Sequence, residues 1–333
     1  MRPDEIPREQ IARLPTPLEP LPRLSEALRG PRLWVKRDDL TGLAFGGNKV
    51  RKLEFFLAEA LQEQADTLVT TGFVQSNHVR QTAAAAARYG MASALLLIGD
   101  PPEHETGNLL LDRLLGADLH WTPSVEHRDG ELVGLMDRLR TNGARPYLVP
   151  HGGSNEVGAM GYVLAMAELA GQLKARGLEM DAVVTATSSG GTQSGLLVGA
   201  SLFGLDGEIV GISVGPEEDV VRSRLLAITS GARDRWDLQI ELALDEFIIN
   251  DDYIDGGYGV LTDLERDAIH LAAQHEGLML DPVYTGRAMG GLIDLIRSGT
   301  FTAGQNVLFW HTGGTPALFA YADRLGTAEA EAA

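Results

Sequence analysis

A glycine-rich turn, Phe45–Lys49, delivers one lysine to the start of a predicted helix. Its sequence is Phe-Gly-Gly-Asn-Lys, and apolar residues recur at helical spacing directly after it. Asn48 is a good N-cap residue, which would place Lys49 in the first helical turn. The positive end of the helix dipole, with Arg51 and Lys52 nearby, disfavours the protonated amine there. A lysine with a lowered pKa suits Schiff-base chemistry, although most lysines at a helix start are simply solvated.

Two further loops follow predicted buried strands and precede helices. In the loop 72–78, Ser76 could be either an N-cap or a ligand-binding group. The loop 187–195 is rich in glycine and hydroxyl residues, and N–H groups at a helix start form an anion site, above all for phosphate. This second loop has no lysine or arginine, so we expect backbone dipoles to hold the phosphate. Glycine turns of this kind also occur purely for packing.

The remaining unusual loops are 281–286, which contains Tyr284, and 311–316. Tyr284 alone would be interpreted as a half-buried aromatic residue. The chain has neither a His-x-x-x-His pair nor a Gly-x-Ser-x-Gly elbow, so the common metallohydrolase and serine-hydrolase readings do not apply. A Schiff-base lysine, a phosphate cradle and tyrosines in hydroxyl-rich loops together fit pyridoxal phosphate.

Composition limits the classes of partner and compartment. The net charge of -18 argues against nucleic acid or an anionic membrane as a partner. The absence of cysteine excludes disulfides, thiolate metal sites and a cysteine nucleophile. The N-terminus lacks the apolar segment of a signal peptide, and the longest apolar run, 94–98, is too short to span a bilayer. We therefore expect a cytoplasmic protein.

The strand–helix alternation predicts an α/β protein with parallel sheets, and 333 residues predict two domains that share a cleft. Ligands bind outside the carboxyl ends of strands in such folds, so the four loops should share one crevice. Prolines interrupt residues 1 to about 30, which are predicted to be an irregular arm. The tail from Ala328 to Ala333 is predicted to fray.

Four motifs together resemble the D-cysteine desulfhydrase and 1-aminocyclopropane-1-carboxylate deaminase family of pyridoxal-phosphate enzymes. The motifs are Lys36-Arg37-Asp38-Asp39, Gly46-Gly47-Asn48-Lys49-x-Arg51-Lys52, Ser76-Asn77-His78 and Asp281-Pro282-Val283-Tyr284. The resemblance runs in the family's order from about Leu14 to Tyr321. It implies the tryptophan-synthase-β-like fold type II: two open, twisted, mostly parallel sheets flanked by helices. A large cofactor-binding domain would comprise residues 1–51 and 161–333, with a small inserted α/β domain at 52–160, and the protein would be a homodimer.

The resemblance also implies roles for individual residues. Lys49 would carry pyridoxal 5'-phosphate, Asn77 would hydrogen-bond its ring hydroxyl, and Tyr258 and Tyr284 would flank a small amino-acid substrate. Ser76 would meet the substrate carboxylate, beside Asn77 and His78. The phosphate would be held by Ser189, Gly190, Gly191 and Thr192, together with Asn48.

Thr285 and Thr312 distinguish two activities within the family. The deaminases resemble Asp-Pro-Val-Tyr-Glu-Gly and His-Leu-Gly-Gly at these loops, whereas threonine at both positions is the pattern of the desulfhydrases. A neutral hydroxyl at 285, near the pyridine nitrogen, would not hold a proton there as a carboxylate does, which favours β-elimination over ring opening.

The predicted reaction is D-cysteine plus water giving pyruvate, hydrogen sulfide and ammonia, with Lys49 or a tyrosine as the base. The nearest alternatives are a lyase on L-cysteate or another β-substituted alanine, and the deaminase. A non-catalytic small-molecule-binding protein is the alternative from another class.

Overall fold

The computed structural model describes residues 2–326, which alternate strands and helices through two sheets. The strands are β1 (Leu18–Pro20), β2 (Arg32–Arg37), β3 (Thr67–Phe73), β4 (Ala92–Ile98), β5 (Asp118–Thr122), β6 (Pro146–Leu148), β7 (Ala182–Thr187), β8 (Glu208–Ser213), β9 (Ile248–Asn250) and β10 (Asn306–His311). One sheet has the order β1-β2-β10-β7-β8-β9 and the other β5-β4-β3-β6. β1 pairs antiparallel with β2, and the other strand pairs among these residues are parallel.

Helices connect the parallel strands and cover the sheets. They are α1 (Pro22–Leu28), α2 (Asn48–Gln62), α3 (Asn77–Arg88), α4 (Gly107–Leu114), α5 (Val125–Thr141), α6 (Glu156–Arg176), α7 (Gly191–Phe203), α8 (Glu218–Trp236), α9 (Asp263–Glu276), α10 (Thr285–Arg297) and α11 (Ala322–Leu325). A 3-10 helix, Thr315–Tyr321, follows β10. Across residues 2–326, no helix combines the length and apolar character needed to cross a membrane.

The predicted fold class, with two mostly parallel sheets flanked by helices, is confirmed. The strands β3 and β4 are runs of residues buried on both faces, as parallel strands covered by helices require. All four strands of the smaller sheet lie between residues 67 and 148, inside the segment 52–160 that the family resemblance implies for an inserted domain. The exact domain boundaries stay a prediction.

The proline-rich N-terminal segment is not wholly irregular, and the prediction of an irregular arm was wrong for its second half. β1 is an edge strand that ends at Pro20, and an edge position tolerates the missing N–H of proline. Pro22 occupies the first position of α1, where that N–H would have no helical partner. The predicted fraying from Ala328 to Ala333 lies outside the described residues.

A buried ionic network anchors α2 to the larger sheet. The carboxylate of Asp38, just after β2, accepts hydrogen bonds from Arg51 Nε (2.9 Å) and Nη2 (2.8 Å). It also accepts bonds from Thr16 Oγ1 (2.9 Å), Tyr162 OH (2.7 Å) and Trp310 Nε1 (2.9 Å). Because these partners come from the N-terminal segment, α2, α6 and β10, Asp38 fixes the direction in which α2 leaves the sheet.

Candidate active site

Backbone contacts around two glycines fix the start of α2, and with it the position of Lys49. Gly47 N donates to Asp38 O (3.0 Å), and Asn48 N donates to Thr312 O (2.9 Å). Gly46 has φ +65, and a Cβ there would lie 2.1 Å from a backbone oxygen, so a side chain would not fit. The prediction that Lys49 lies in the first helical turn is confirmed.

Asn48 is not the N-cap that the sequence predicted. The N-cap is Gly47, and Asn48 is the first helical residue. Its side chain instead reaches across to the loop after β7, where Nδ2 donates to Thr192 Oγ1 (3.0 Å). Asn48 therefore connects the lysine-bearing helix to the predicted phosphate loop.

The amine of Lys49 has the lowered pKa that the sequence predicted, but the main cause differs. Nζ donates to Gly152 O (3.0 Å), and burial lowers the pKa to about 8. The two neighbouring cations do not lower it as predicted: the guanidinium of Arg51 is bonded to Asp38 and Glu168, and the hydrogen bond with Lys52 raises the pKa of Lys49. At neutral pH an appreciable fraction of this amine is unprotonated, as a nucleophile or base requires.

A second buried amine, Lys52, lies beside the first, although it was predicted only as a nearby charge and not as a residue that lines the site. Its Nζ lies 3.2 Å from Ser154 Oγ and 3.3 Å from Gly152 O. Burial and the charge of Lys49 hold its pKa well below the ordinary lysine value. The spacing of three residues puts Lys49 and Lys52 on one helix face, which is the sequence pattern that could have revealed it. An anion bound here would favour the charged form of Lys52.

The loop after β7 and the start of α7 form a candidate anion cradle. Gly191 N donates to Ser154 Oγ (3.3 Å), which is hydrogen-bonded to Ser189 Oγ (2.8 Å). The buried Thr187 Oγ1 has no hydrogen-bond partner within the described chain. Helix-start N–H groups, hydroxyls and the amine of Lys52 suit a phosphate. The expectation of a cradle without a lysine was therefore incomplete, because Lys52 arrives from α2.

We expect Gly191→Val to weaken cofactor binding at least about tenfold. A Cβ at this position would lie 2.7 Å from Ser154 Oγ and 2.9 Å from Lys52 Nζ, so valine would fill the cradle. The measurement is the cofactor dissociation constant, from titration of apoprotein. Gly171→Val is the matched control, because it is also a helical glycine but has open space around it. Equal cofactor affinity in the two variants would contradict a phosphate role for this loop.

A small pocket continues from the cradle towards the loops after β3 and β10. It is lined by Asn48, Lys49, Asn77, Ala186, Thr187, Ser188, Ser189, Gly190, Thr192, Tyr284 and Thr312. The structure thus brings together most of the residues predicted to hold the cofactor ring and phosphate. A lysine, a candidate phosphate cradle and polar groups around this pocket fit pyridoxal phosphate.

Thr285 does not line this pocket. Its hydroxyl donates to Asp281 Oδ1 (2.7 Å) and accepts from Asp281 N (2.7 Å), and the residue is fully buried. Both hydrogen bonds belong to the turn that starts α10. Its predicted contact with the ring nitrogen stays a prediction, whereas Thr312 does border the pocket.

A larger cavity of about 620 Å³ opens in front of Lys49, and Ser76 and His78 lie on its wall. Ser76 Oγ accepts from Val79 N (3.3 Å), so the N-cap interpretation is confirmed, and the same residue faces the cavity. His78 Nε2 pairs with Thr70 Oγ1 (2.8 Å). Burial, then the charge of Lys49, lowers the pKa of His78 well below its ordinary value, so this ring is neutral.

Two tyrosines also line this cavity. The hydroxyls of Tyr258 and Tyr284 are hydrogen-bonded to each other, and their rings meet edge to face with centroids 5.9 Å apart. Burial raises the pKa of Tyr284 to about 12 and that of Tyr258 well above its usual range. Both are therefore protonated at neutral pH, so one hydroxyl donates to the other and neither is suited to act as a base.

The lining of this cavity is basic in a strongly acidic protein. It contains Lys49, Arg128 and Arg224 but, among the described residues, no Asp or Glu, although the chain has 46 of them. His151 also lines it, and burial and the charge of Lys49 lower its pKa to about 4. Arg128, Arg224 and His151 were not predicted from the sequence. The positive electrostatic potential of this cavity lining favours an anionic ligand group such as a carboxylate.

The parallel α/β fold, with a buried amine next to a phosphate cradle, defines a class of enzymes that use pyridoxal phosphate. Residues 10–313 match the family described as "Pyridoxal-phosphate dependent enzyme", and the chain belongs to this family. The predictions of a pyridoxal-phosphate enzyme and of its cofactor are thereby confirmed, and a non-catalytic binding protein is set aside.

Individual relatives extend this assignment. The chain is 44% identical over 321 residues to "D-cysteine desulfhydrase" of Salmonella choleraesuis (strain SC-B67), covering 95% of this chain and 96% of that protein. It is 37% identical to a solved "ACC deaminase homologue", with a TM-score of 0.89 over 97% of this chain and 96% of that one. A fungal L-serine ammonia-lyase from Rhizomucor miehei is 16% identical, with a TM-score of 0.69 over 94% of this chain and 97% of that one, and shares the fold alone. The predicted family resemblance is confirmed.

Proposed function

We propose that the protein converts D-cysteine and water to pyruvate, hydrogen sulfide and ammonia. The observation that carries the proposal is the amine of Lys49, with a pKa near 8, facing both the phosphate cradle and a basic substrate cavity. The relatives named D-cysteine desulfhydrase, which match nearly the whole chain, support this choice of substrate.

Each proposed role follows from the environment of a side chain. Bound pyridoxal phosphate would supply an electron sink for the Cα of the substrate. Ser76 and the start of α3 suit the substrate carboxylate, because helix-start N–H groups and the helix dipole attract anions. Lys49 is the better base for the α-proton, since its pKa is lowered whereas those of Tyr258 and Tyr284 are raised. Because the two tyrosine hydroxyls are hydrogen-bonded to each other, one O–H remains free, and it would then donate a hydrogen bond to the departing sulfur.

The remaining predicted residues would hold the cofactor. Asn77 would face the ring hydroxyl, and Lys52 would join Ser189, Gly190, Gly191, Thr192 and Asn48 at the phosphate. His78, which is neutral, would border the substrate rather than carry charge.

We expect D-cysteine and β-chloro-D-alanine to yield pyruvate, while 1-aminocyclopropane-1-carboxylate yields little 2-oxobutanoate. Both D-amino acids carry a leaving group at Cβ and an α-proton within reach of the same base, whereas the cyclopropane substrate has no α-proton. The measurement is the rate of keto-acid and sulfide release from these compounds, L-cysteine and L-cysteate.

Other outcomes of this panel would identify a different member of the family. Consumption of L-cysteate alone would overturn D-cysteine as the substrate, and the basic cavity is compatible with that sulfonate. Ring opening as fast as D-cysteine cleavage would indicate a deaminase, the activity named in the solved homologue. Thr312→Leu is the variant that tests which residues separate the two activities, because Thr312 borders the ring pocket. Thr285→Glu is less suitable, because a glutamate at this buried position would place a second carboxylate beside Asp281.

We also propose that the protein is a homodimer and is located in the cytoplasm. Leu110, Leu114 and Phe319 expose large apolar side chains on α4 and on the 3-10 helix against which α4 packs, a face suited to a second copy. Sedimentation should therefore give twice the chain mass of 35.8 kDa, and a monomer would contradict the dimer. Recovery of the native protein outside the cytoplasmic fraction of its cells would contradict the location.

A further inference from the structure

Asn108, the second residue of α4, is fully buried and is hydrogen-bonded to the loop after β3. Its backbone N donates to Gln75 Oε1 (2.8 Å). Its Nδ2 donates to Gln75 O (2.8 Å) and to Asn77 Oδ1 (2.9 Å). Gln75 Nε2 donates in return to Thr106 O (3.0 Å). Four hydrogen bonds therefore tie the start of α4 to the loop that carries Asn77.

Backbone groups determine how these side-chain amides are oriented. The oxygen and nitrogen of an amide are otherwise hard to distinguish, but a backbone carbonyl only accepts. Gln75 O thus requires the nitrogen of Asn108 to face it, and the second N–H of that nitrogen points to Asn77. The amide of Asn77 must therefore present Oδ1, its acceptor, to Asn108. Its Nδ2 then points away from Asn108, and within residues 2–326 this Nδ2 donates no hydrogen bond.

We propose that Asn108 is a positioning residue that keeps the N–H donor of Asn77 turned towards the cofactor ring. The proposal rests on the proposed role of Asn77, which lines the ring pocket, and it holds for any amino acid that the enzyme cleaves. A donor stabilises the ionised form of the ring hydroxyl. A reversed amide would present Oδ1 to that oxygen, and two acceptors facing each other repel.

Gly107, the residue before Asn108, lets the start of α4 approach Gln75 closely. The residue has φ +59, and a Cβ there would lie 2.4 Å from Gln75 Oε1 and 3.0 Å from Pro316 O. The start of α4 is therefore wedged between the loop after β3 and the segment after β10. A side chain at position 107 would displace Gln75 and loosen the hold of Asn108 on Asn77.

The test is Asn108→Asp in the holoenzyme. A carboxylate has nearly the same shape but only accepts, so the amide of Asn77 is expected to turn over and donate to it. The pH midpoint of the visible absorption band of the bound cofactor should then rise by about one unit, a tenfold change in proton affinity. This readout requires no substrate, so it is independent of whether D-cysteine is cleaved.

A double-mutant cycle separates positioning from a direct effect of the new charge. If Asn108 acts through Asn77, most of the shift should disappear when Asn108→Asp is made in an Asn77→Ala background. An equal shift in both backgrounds, or no shift from Asn108→Asp alone, would overturn the proposal.

A second pair of variants keeps the test decisive if Asn108→Asp does not fold. Gly107→Ala should raise the midpoint in the same direction. Gly116→Ala should leave it unchanged, because that glycine also has positive φ (+73) next to α4 but nothing within 4 Å of an added Cβ. Identical midpoints in these two variants would overturn the proposal in that case.

Discussion

Replacing Lys49 with alanine should lower kcat by about 10³-fold or more while the protein remains folded. The loss is large because we assign this amine both the attachment of the cofactor and the removal of the α-proton. The effect on folding should be small, since Nζ is hydrogen-bonded to Gly152 O (3.0 Å) and to the neighbouring amine of Lys52, and burial disfavours its charge. The free energy of unfolding should therefore change by about 1 kcal/mol or less. The measurements are the steady-state rate with D-cysteine and urea unfolding of the apoprotein.

The chemical identity of the lysine can be established directly. Borohydride reduction of the holoenzyme followed by digestion and mass spectrometry should find the pyridoxyl group on Lys49. Lys52 is the serious competitor, because its amine lies in the same buried cluster. Lys174→Ala, at an exposed lysine near the end of α6, is the control for kcat and should be silent. An adduct on Lys52 would reverse the roles of the two lysines.

Local sequence patterns predicted those parts of the site that lie within single loops. The glycines before Lys49 and before α7 predict backbone conformations that other residues rarely adopt. Gly46, Gly47 and Gly190 do have positive φ angles. Ser76 has the residue type and position of an N-cap, and it is one. Strand–helix alternation then requires these loops to meet, because parallel strands bring their carboxyl ends to one edge.

Contacts between segments distant in sequence were not predictable in this way. Lys52 contacts Ser154 about one hundred residues away, and Asn108 contacts Asn77 across the rest of α3, β4 and the loop after β4. Neither partner has a local pattern that indicates the other. Helix α10 was not predicted from the sequence, because Gly286, Gly290 and Gly291 lower the helix propensity of this segment. Close packing nevertheless requires a glycine here, since a Cβ at Gly290 would lie 2.6 Å from Leu264.

Substituting Asp38 with asparagine should give the largest loss of stability among single changes near the site, about 3–5 kcal/mol. The carboxylate is fully buried and accepts two hydrogen bonds from Arg51 and three from other side chains. An asparagine keeps the shape but leaves Arg51 with only Glu168 as a charged partner. Asp137→Asn is the matched control, because its ion pair with Arg140 is exposed and should be worth less than about 1 kcal/mol. The measurement is the free energy of unfolding in urea at pH 7.

The pH dependence of the same measurement tests whether the charge of Asp38 is responsible. Burial would raise the pKa of this carboxyl, but the charge and hydrogen bonds of Arg51 outweigh it and lower the pKa from 3.8 to about 2. In that range the unfolded chain binds the proton and the folded protein does not. The stabilisation is therefore complete above pH 4 and is lost as the pH falls towards 2. The stability difference between the wild-type protein and Asp38→Asn should narrow by about 2 kcal/mol over this interval. A difference that stayed constant from pH 4 to pH 2 would mean that Asp38 stabilises the fold through shape and neutral hydrogen bonds rather than through its charge.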